Sequence, residues 1–419
     1  MRFGAKRGSR ARRVLIIVQN LPVPDDRRVW LECQSLRDAG IGVSVICPKG
    51  DGDPGFEELD GIRIYKYDPP EASSGISSYF REFLVCWLKT ARLSWRVWRR
   101  DGFSVIQTCN PPDTYFALAW LYKVAGVKFV FDQHDLCPET YLSRFGADAN
   151  PVLLRGLRLL ERLQYATADR VISTNESYRG KAMSRGHRRA DAVTVVRSGP
   201  DPAKLFRGDP DPALRNGHEH LCVYIGVMGP QDRVDLLVLA ADHMVHTLGR
   251  TDTQFALLGG GDCLEELRAQ VRELGLEDHV EFVGWVKDDA VTRAYFSTAD
   301  LGLAPDPRSP LNDISTHNKV MEYMACELPV ITFPLVETRV SAADAAYYVE
   351  PDEDPVAFAD AVCKLLDDPE ARARMGRRGR ERIVSHLAWE HQAAAYVGVF
   401  GSLLAGSVVD ASVETAPPV

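Results

Sequence analysis

The chain has 419 residues, 45% of them hydrophobic and 26% charged, a balance that supports well-packed cores and excludes collagen-like, low-complexity and wholly disordered classes. Fifty Lys and Arg against 58 Asp and Glu leave a formal charge of −8, which argues against general nucleic-acid binding. At about 150 residues per domain the length predicts two or three domains.

Nine cysteines lie scattered without a CxxC pair, so neither a disulfide framework nor a zinc site is expected, and the chain reads as reduced and cytosolic. A basic arm, residues 1–13, precedes the apolar run 14–18, which is too short for a signal sequence and reads as a first strand buried on both faces. Asp25 is expected to cap a helix carrying Val29, Trp30, Cys33 and Leu36 on one face, with Gly40 closing it. Further strands are expected at 43–47, 62–67, 105–108, 129–132 and 171–174, with helices between them, which predicts an α/β domain over 14–199.

One helix, 79–100, stands apart. Residues 80, 83, 84, 87, 88, 91, 95 and 98 recur at helical spacing among Lys89, Arg92, Arg96, Arg99 and Arg100. Two readings stay open: a tryptophan-rich stripe lying on a membrane surface, aided by the basic arm, or an amphipathic helix packed on its own core.

Turn formers between 199 and 220 mark a boundary, and a second strand–helix series follows over 200–388, with strands expected at 221–225, 255–258, 280–283, 301–304, 330–333 and 346–349. A last helix, 389–403, is expected to return to the first domain, and 404–419 reads as a loose tail. The predicted architecture is two Rossmann-like, doubly wound α/β domains facing across a cleft.

In such sheets ligands bind beyond the carboxyl ends of the strands. In the second domain the loop Gly226-Val227-Met228-Gly229, continuing to Arg233, either cradles an anion at a helix N-terminus or is only a tight turn. A second glycine loop contains Gly260 but does not match the dinucleotide fingerprint, which disfavours a nicotinamide cofactor. Trp285, next to Val286, either covers a nucleobase or fills the core. The most informative stretch runs from Ser309 to Ile331, in which Ser315, Thr316 and Asn318 open a helix, and Lys319 and Glu322 share one of its faces. Helix amides with Lys319 suit a diphosphate and Glu322 suits a ribose diol; the alternative is a surface ion pair without a role.

In the first domain His134 follows a strand, where it could orient a sugar hydroxyl or carry a proton, with Asp135 fixing its tautomer if the fold brings the two together. Asn110-Pro111-Pro112-Asp113 and Asn175-Glu176-Ser177 end strands at the same sheet edge, where with Asn20, in the loop after the first strand, they could line an acceptor pocket, and Arg27 with Arg28 either holds an anionic acceptor or simply starts a helix.

Together the loops 226–237 and 259–262 and the run Lys319-Val320-Met321-Glu322-Tyr323-Met324-Ala325 resemble the family 4 retaining glycosyltransferases of GT-B fold, over roughly residues 13 to 400. The chain is most similar to the bacterial capsule, exopolysaccharide and lipid-linked-oligosaccharide enzymes, which share openings like Asn20-Leu21-Pro22-Val23-Pro24. The resemblance implies a UDP- or GDP-sugar as co-substrate in the second domain, a polysaccharide, polyprenyl-linked or other glycan acceptor in the first, and transfer without a bound metal or other cofactor. It also implies that Glu322 contacts the nucleotide ribose and that His134 approaches the donor sugar. Ile314 stands where the family carries its first Glu, Val227 and Asp232 where many members carry Arg and Lys, and Glu327 where a glycine is usual. Arg233 and Lys319 are then the nearest cations for the diphosphate. The expectation is a cytosolic enzyme, with the inner face of the plasma membrane as an option; a catalytically weak or silent GT-B protein serving as a binding partner in glycan assembly is the alternative.

Overall fold

The computed structural model describes residues 12–70 and 76–405; the remainder of the basic arm and the end of the tail lie outside the described residues. The chain divides into two units. The first takes residues up to 138, 149–196 and those from 393 onward, and the second takes 139–148 and 197–392.

The first unit is built on an eight-stranded sheet. Its elements run β1 (Arg13–Ile17), α1 (Arg27–Asp38), β2 (Gly42–Pro48), β3 (Phe56–Leu59), β4 (Ile62–Tyr67), α2 (Ile76–Arg100), β5 (Val105–Cys109), α3 (Phe116–Lys123) and β6 (Lys128–Gln133); α4 (Cys137–Phe145), nearly all of which belongs to the second unit, interrupts them before α5 (Pro151–Thr167), β7 (Arg170–Ser173), α6 (Glu176–Ser184) and β8 (Val193–Val195). The strand order is β3-β4-β2-β1-β5-β6-β7-β8, parallel except for the β3–β4 hairpin. Val14, Leu15, Ile16 and Ile17 have no exposed surface, which explains why the first strand is apolar without alternation.

Two short strands escape the expected series: β3, the antiparallel edge, and β8, only three residues long. The helix cap is Asp26 rather than Asp25, its side chain accepting from the Val29 amide. Helix α2 packs part of its stripe on its own core and leaves part of it exposed. Cys86, Leu93 and Val97 are buried, with Trp87 and Trp98 packed on the same core. Leu84, Leu88 and Trp95 stay exposed, and with the exposed Arg81, Arg92 and Arg99 they follow one another at steps of three and four along the helix. No helix among the described residues is long and apolar enough to cross a membrane.

The second unit holds six parallel strands in the order β11-β10-β9-β12-β13-β14. They are β9 (His220–Val227), β10 (Thr253–Gly260), β11 (Val280–Gly284), β12 (Leu301–Ala304), β13 (Val330–Thr332) and β14 (Ala346–Tyr348). The helices around them are α7 (Asp235–Asp242), α8 (Leu264–Glu273), α9 (Asp289–Thr298), α10 (Asn318–Ala325), α11 (Val336–Ala342), α12 (Pro355–Leu366) and α13 (Pro369–Arg382). The final helix, α14 (Trp389–Ala405), starts in the second unit and ends in the first, where the Tyr396 hydroxyl donates to Oε1 of Gln107 at 2.7 Å.

Candidate nucleotide and sugar sites

In the second sheet the strand order turns back between β9 and β12, the position at which open α/β sheets bind ligands beyond their carboxyl ends. The residues gathered there come from three stretches. Tyr224 lies in the middle of β9, Asp306 lies just beyond β12, and Lys319 is the second residue of α10. The Lys319 ammonium donates to both Asp306 oxygens, at 3.0 and 2.9 Å, and sits 4.7 Å from the Tyr224 ring centroid. Burial opposes its charge, but Asp306 prevails and raises the Lys319 pKa above the ordinary value. Burial likewise opposes ionisation of Asp306, and Lys319 with His317 holds its carboxyl below the usual range. His317 itself is pushed down by burial. Asp306, Tyr224 and His317 were not singled out from the sequence, although a polar residue two places past a strand at the turning point is where such a partner belongs.

The glycine loops bring two strands together. A Cβ built on Gly259 would stand 1.9 Å from the Gly226 carbonyl oxygen of the paired strand, and Gly259 has φ +126°, so this position admits only glycine. A Cβ on Gly260 would stand 2.9 Å from Nε1 of Trp285, whose ring is 66% exposed and thus is not a core tryptophan. Val227 is exposed at the end of β9.

Other expected pocket residues are placed differently. Met228 is wholly buried, offering only a backbone whose amide donates to the Gly260 carbonyl and whose oxygen accepts from the Cys263 amide. Val286 packs against the core. The cap of α10 is His317 without a side-chain cap bond, not Ser315 or Thr316; the Ser315 hydroxyl turns back to the Leu311 carbonyl. Asn318 is exposed in the first turn of α10, and Glu322 follows one turn later, half-buried. Arg233 is not a free cation. In a left-handed conformation, it is held by Asp235 at 2.9 Å and by Glu353. Asp232, where many family members carry lysine, accepts from the Gly229 amide and from Gln231 Nε2, both at 3.0 Å, and burial pushes its carboxyl up to about 6.

In the first unit His134 stands just past β6, and its partner is Asp132, not Asp135: the ring Nε2 lies 2.8 Å from Asp132 Oδ2. Arg28 comes from the first turn of α1, donating to Asp132 Oδ1 at 3.0 Å, to His134 Nε2 at 3.1 Å and to the Val196 carbonyl at 2.9 Å. Burial opposes its charge, but Asp132 and Glu32 hold its pKa above the ordinary value. Glu32, Cys109, Asp132 and His134 bring ligand atoms within 4.8 Å of one another, but the donors of Arg28 and Gln107 already occupy the carboxylates, and this donor set does not fit a metal ion.

The acceptor residues expected around His134 are structural in part. Asn110 accepts from the amides of His134 and Asp135 at 2.8 and 3.1 Å and donates to Asp113 and to the Asp135 carbonyl, so it fixes this loop rather than facing outward. Asp113 is buried, its carboxyl pushed up to about 6 by that burial. Asn20 and Arg27 are exposed.

Two parallel-sheet α/β units, each with polar side chains at the carboxyl ends of its strands, define a GT-B protein. Residues 26–199 match the family described as glycosyl transferase 4-like domain, and residues 219–368 match glycosyl transferases group 1; the chain belongs to the GT-B glycosyltransferases. An uncharacterized glycosyltransferase of Methanocaldococcus jannaschii is 20% identical over 358 residues, 83% of this chain and 86% of that one. A GDP-mannose-dependent alpha-(1-6)-phosphatidylinositol monomannoside mannosyltransferase of Mycobacterium tuberculosis is 30% identical over 206 residues, 48% of this chain and 52% of the relative, so the match spans about half of that protein. An Anabaena protein solved in complex with UDP and glucose superposes with a TM-score of 0.69 at 14% identity, over 93% of this chain and 99% of that one.

Proposed function

We propose that the protein transfers a sugar, with retention and without a bound metal, from a UDP- or GDP-sugar to a polysaccharide, polyprenyl-linked or other glycan acceptor of the cell envelope. The observation that carries this reading is the convergence of Lys319, the first turn of α10 and Glu322 at the turning point of the second sheet. As the sugar–phosphate bond breaks, charge grows on the leaving diphosphate, and a cation with amides fixed in advance stabilises it without reorganisation. Glu322 receives the ribose hydroxyls, and Trp285 covers the base beside Gly226, Val227, Gly229 and Gly260. His134 meets the donor sugar.

Loss of transfer in Glu322→Ala, with an unchanged circular dichroism spectrum, is the expected outcome. Full turnover by that variant would refute the site.

A second reading, a catalytically weak or silent member that binds nucleotide sugar, is favoured by specific pairings: Arg233 is engaged by Asp235 and Glu353, Lys319 is neutralised by Asp306, and a carboxylate stands at 232. Donor hydrolysis followed over hours separates a slow enzyme from a pure binder.

The exposed row Arg81, Leu84, Leu88, Arg92, Trp95 and Arg99 supports attachment to an anionic membrane, which for a cytosolic enzyme is the inner face of the plasma membrane. Co-sedimentation with phosphatidylserine vesicles is expected to fall in Leu88→Ser/Trp95→Ser; unchanged binding removes this part of the proposal.

A further inference from the structure

Helices α2, α3 and α5 of the first unit form one layer, with α3 in the middle. The Tyr122 hydroxyl of α3 lies 2.9 Å from Ser94 Oγ of α2, while on the other side the Phe116 amide donates to Gln164 Oε1 of α5 at 2.8 Å and Lys123 donates to the Thr167 carbonyl at 2.9 Å. All three helices pack their inner residues on the same core. Gln164 in turn donates to Thr108 Oγ1 of β5, whereas the next side chain back along that strand, Gln107, meets Glu32 of α1 and Tyr396 of α14. Neighbouring residues of a strand point to opposite faces, so the layer covers the side of the sheet away from α1 and α14.

The outer surface of this layer is cationic. Helices α2, α3 and α5 carry six, one and three Lys and Arg respectively, against two carboxylates: Glu82, half-buried, and Glu161, buried and held by Arg185 at 2.6 Å. The whole chain has a charge of −8, so the excess is local. On α5, Arg155, Arg158 and Arg162 are exposed on one side of the helix and meet no carboxylate among the described residues, and the exposed Leu159 stands among them. The end of α3 is apolar instead: Trp120, Leu121 and Val124 are exposed, the last two by 68% and 92%.

A second copy of the chain is repelled from this layer by the shared charge, and a purely polyanionic partner would pair the arginines yet leave Leu121 and Val124 in water. An anionic bilayer meets both demands, with phosphates for the guanidinium groups and an acyl boundary for the apolar side chains.

We propose that α2, α3 and α5 together are the docking surface for an anionic membrane, the end of α3 entering the acyl boundary while the arginines of α5 and α2 hold lipid phosphates. The inference rests on the membrane attachment proposed above and extends it from the row on α2 to an apolar wedge on α3 and a second cationic row on α5. With the layer flat on the bilayer the strands run along its surface, so the sheet edge that carries His134 opens sideways along the membrane.

The test is co-sedimentation of the full chain with vesicles of mixed phosphatidylcholine and phosphatidylserine, at low and high salt. Each exposed arginine contributes about fivefold, so Arg158→Gln/Arg162→Gln is expected to lower partitioning by roughly 30-fold at low salt, and the difference from wild type is expected to shrink at high salt as the lipid charge is screened. Leu121→Ser/Val124→Ser is expected to lower it by about tenfold or more at both salt concentrations, because burial of apolar surface is not screened. Val124→Ser alone, at the most exposed of these positions, decides the matter if the double variant does not fold. Wild-type partitioning by the serine variants overturns the wedge, and wild-type partitioning by the glutamine variant overturns the second row. Loss confined to Leu88→Ser/Trp95→Ser leaves membrane attachment standing on α2 and defeats this surface; a wild-type chain that stays in the supernatant defeats both.

Discussion

Lys319 Nζ lies 2.9 Å from Asp306 Oδ2, and the two side chains are 11% and 3% exposed, so the principal cation at the mouth of the second sheet is already paired with an anion. A diphosphate arriving there competes with a carboxylate that has the advantage of being built in.

Removing one partner of such a pair leaves a buried charge without compensation. Lys319→Met is expected to destabilise the protein by about 3 kcal/mol in urea unfolding, and Lys319→Met/Asp306→Leu to recover a large part of that loss. A single variant as stable as wild type contradicts the pairing.

Asp232 gives the site a pH dependence of definite sign. Its folded pKa of about 6 lies above the ordinary carboxyl value, so the folded state holds the proton more tightly. The stability this contributes is full below about pH 4 and is lost as pH rises through 6, on the order of 2 kcal/mol in all. Asp232→Asn abolishes the dependence, so its stability advantage over wild type should grow between pH 4 and 6 and level off above. Parallel stability curves for the two proteins would argue that Asp232 ionises as an ordinary exposed carboxyl.

The pairing of β9 with β10 at Gly259 tolerates no side chain. Gly259→Ala is expected to cost on the order of 3 kcal/mol, since its methyl group meets a carbonyl of β9 and the backbone is strained. Gly180→Ala, in an exposed helix turn with nothing within 4 Å of the added methyl, should instead gain a few tenths to 1 kcal/mol. Thermal melts of both variants provide the comparison, and equal effects would contradict it.

How much of this was legible follows from where each signal resides. Strands β1, β9 and β10 are buried on both faces, and their apolar runs stand out in the chain. Strand β3, Phe-Glu-Glu-Leu, is an edge half open to solvent and lacks such a run, yet it pairs with β4 through Asp60 and Gly61, both at positive φ, and Asp-Gly is a two-residue hairpin signal that was there to be read. Lys319 and Glu322 could be placed because their relation is local to one helix. The partner of Lys319 is 13 residues away on another element, and Tyr396 reaches Gln107 across 289 residues; no periodicity records either contact. Arg28 and Glu32, four apart on α1, did carry a local hint.

Trp285 provides a test of base stacking separate from the charges. Because its ring is largely exposed, Trp285→Ala should leave the melting temperature nearly unchanged while weakening nucleotide binding by about 1–3 kcal/mol, roughly five- to 150-fold. Undiminished affinity would place the base elsewhere.

The most direct measurement is calorimetric titration of UDP and GDP into the wild-type chain and into Glu322→Ala. Saturable binding of one nucleotide by wild type, abolished in the variant while its fold persists, is the predicted result. Absence of binding by wild type to either nucleotide, or equal binding by the variant, contradicts the placement of a nucleoside diphosphate at the start of α10.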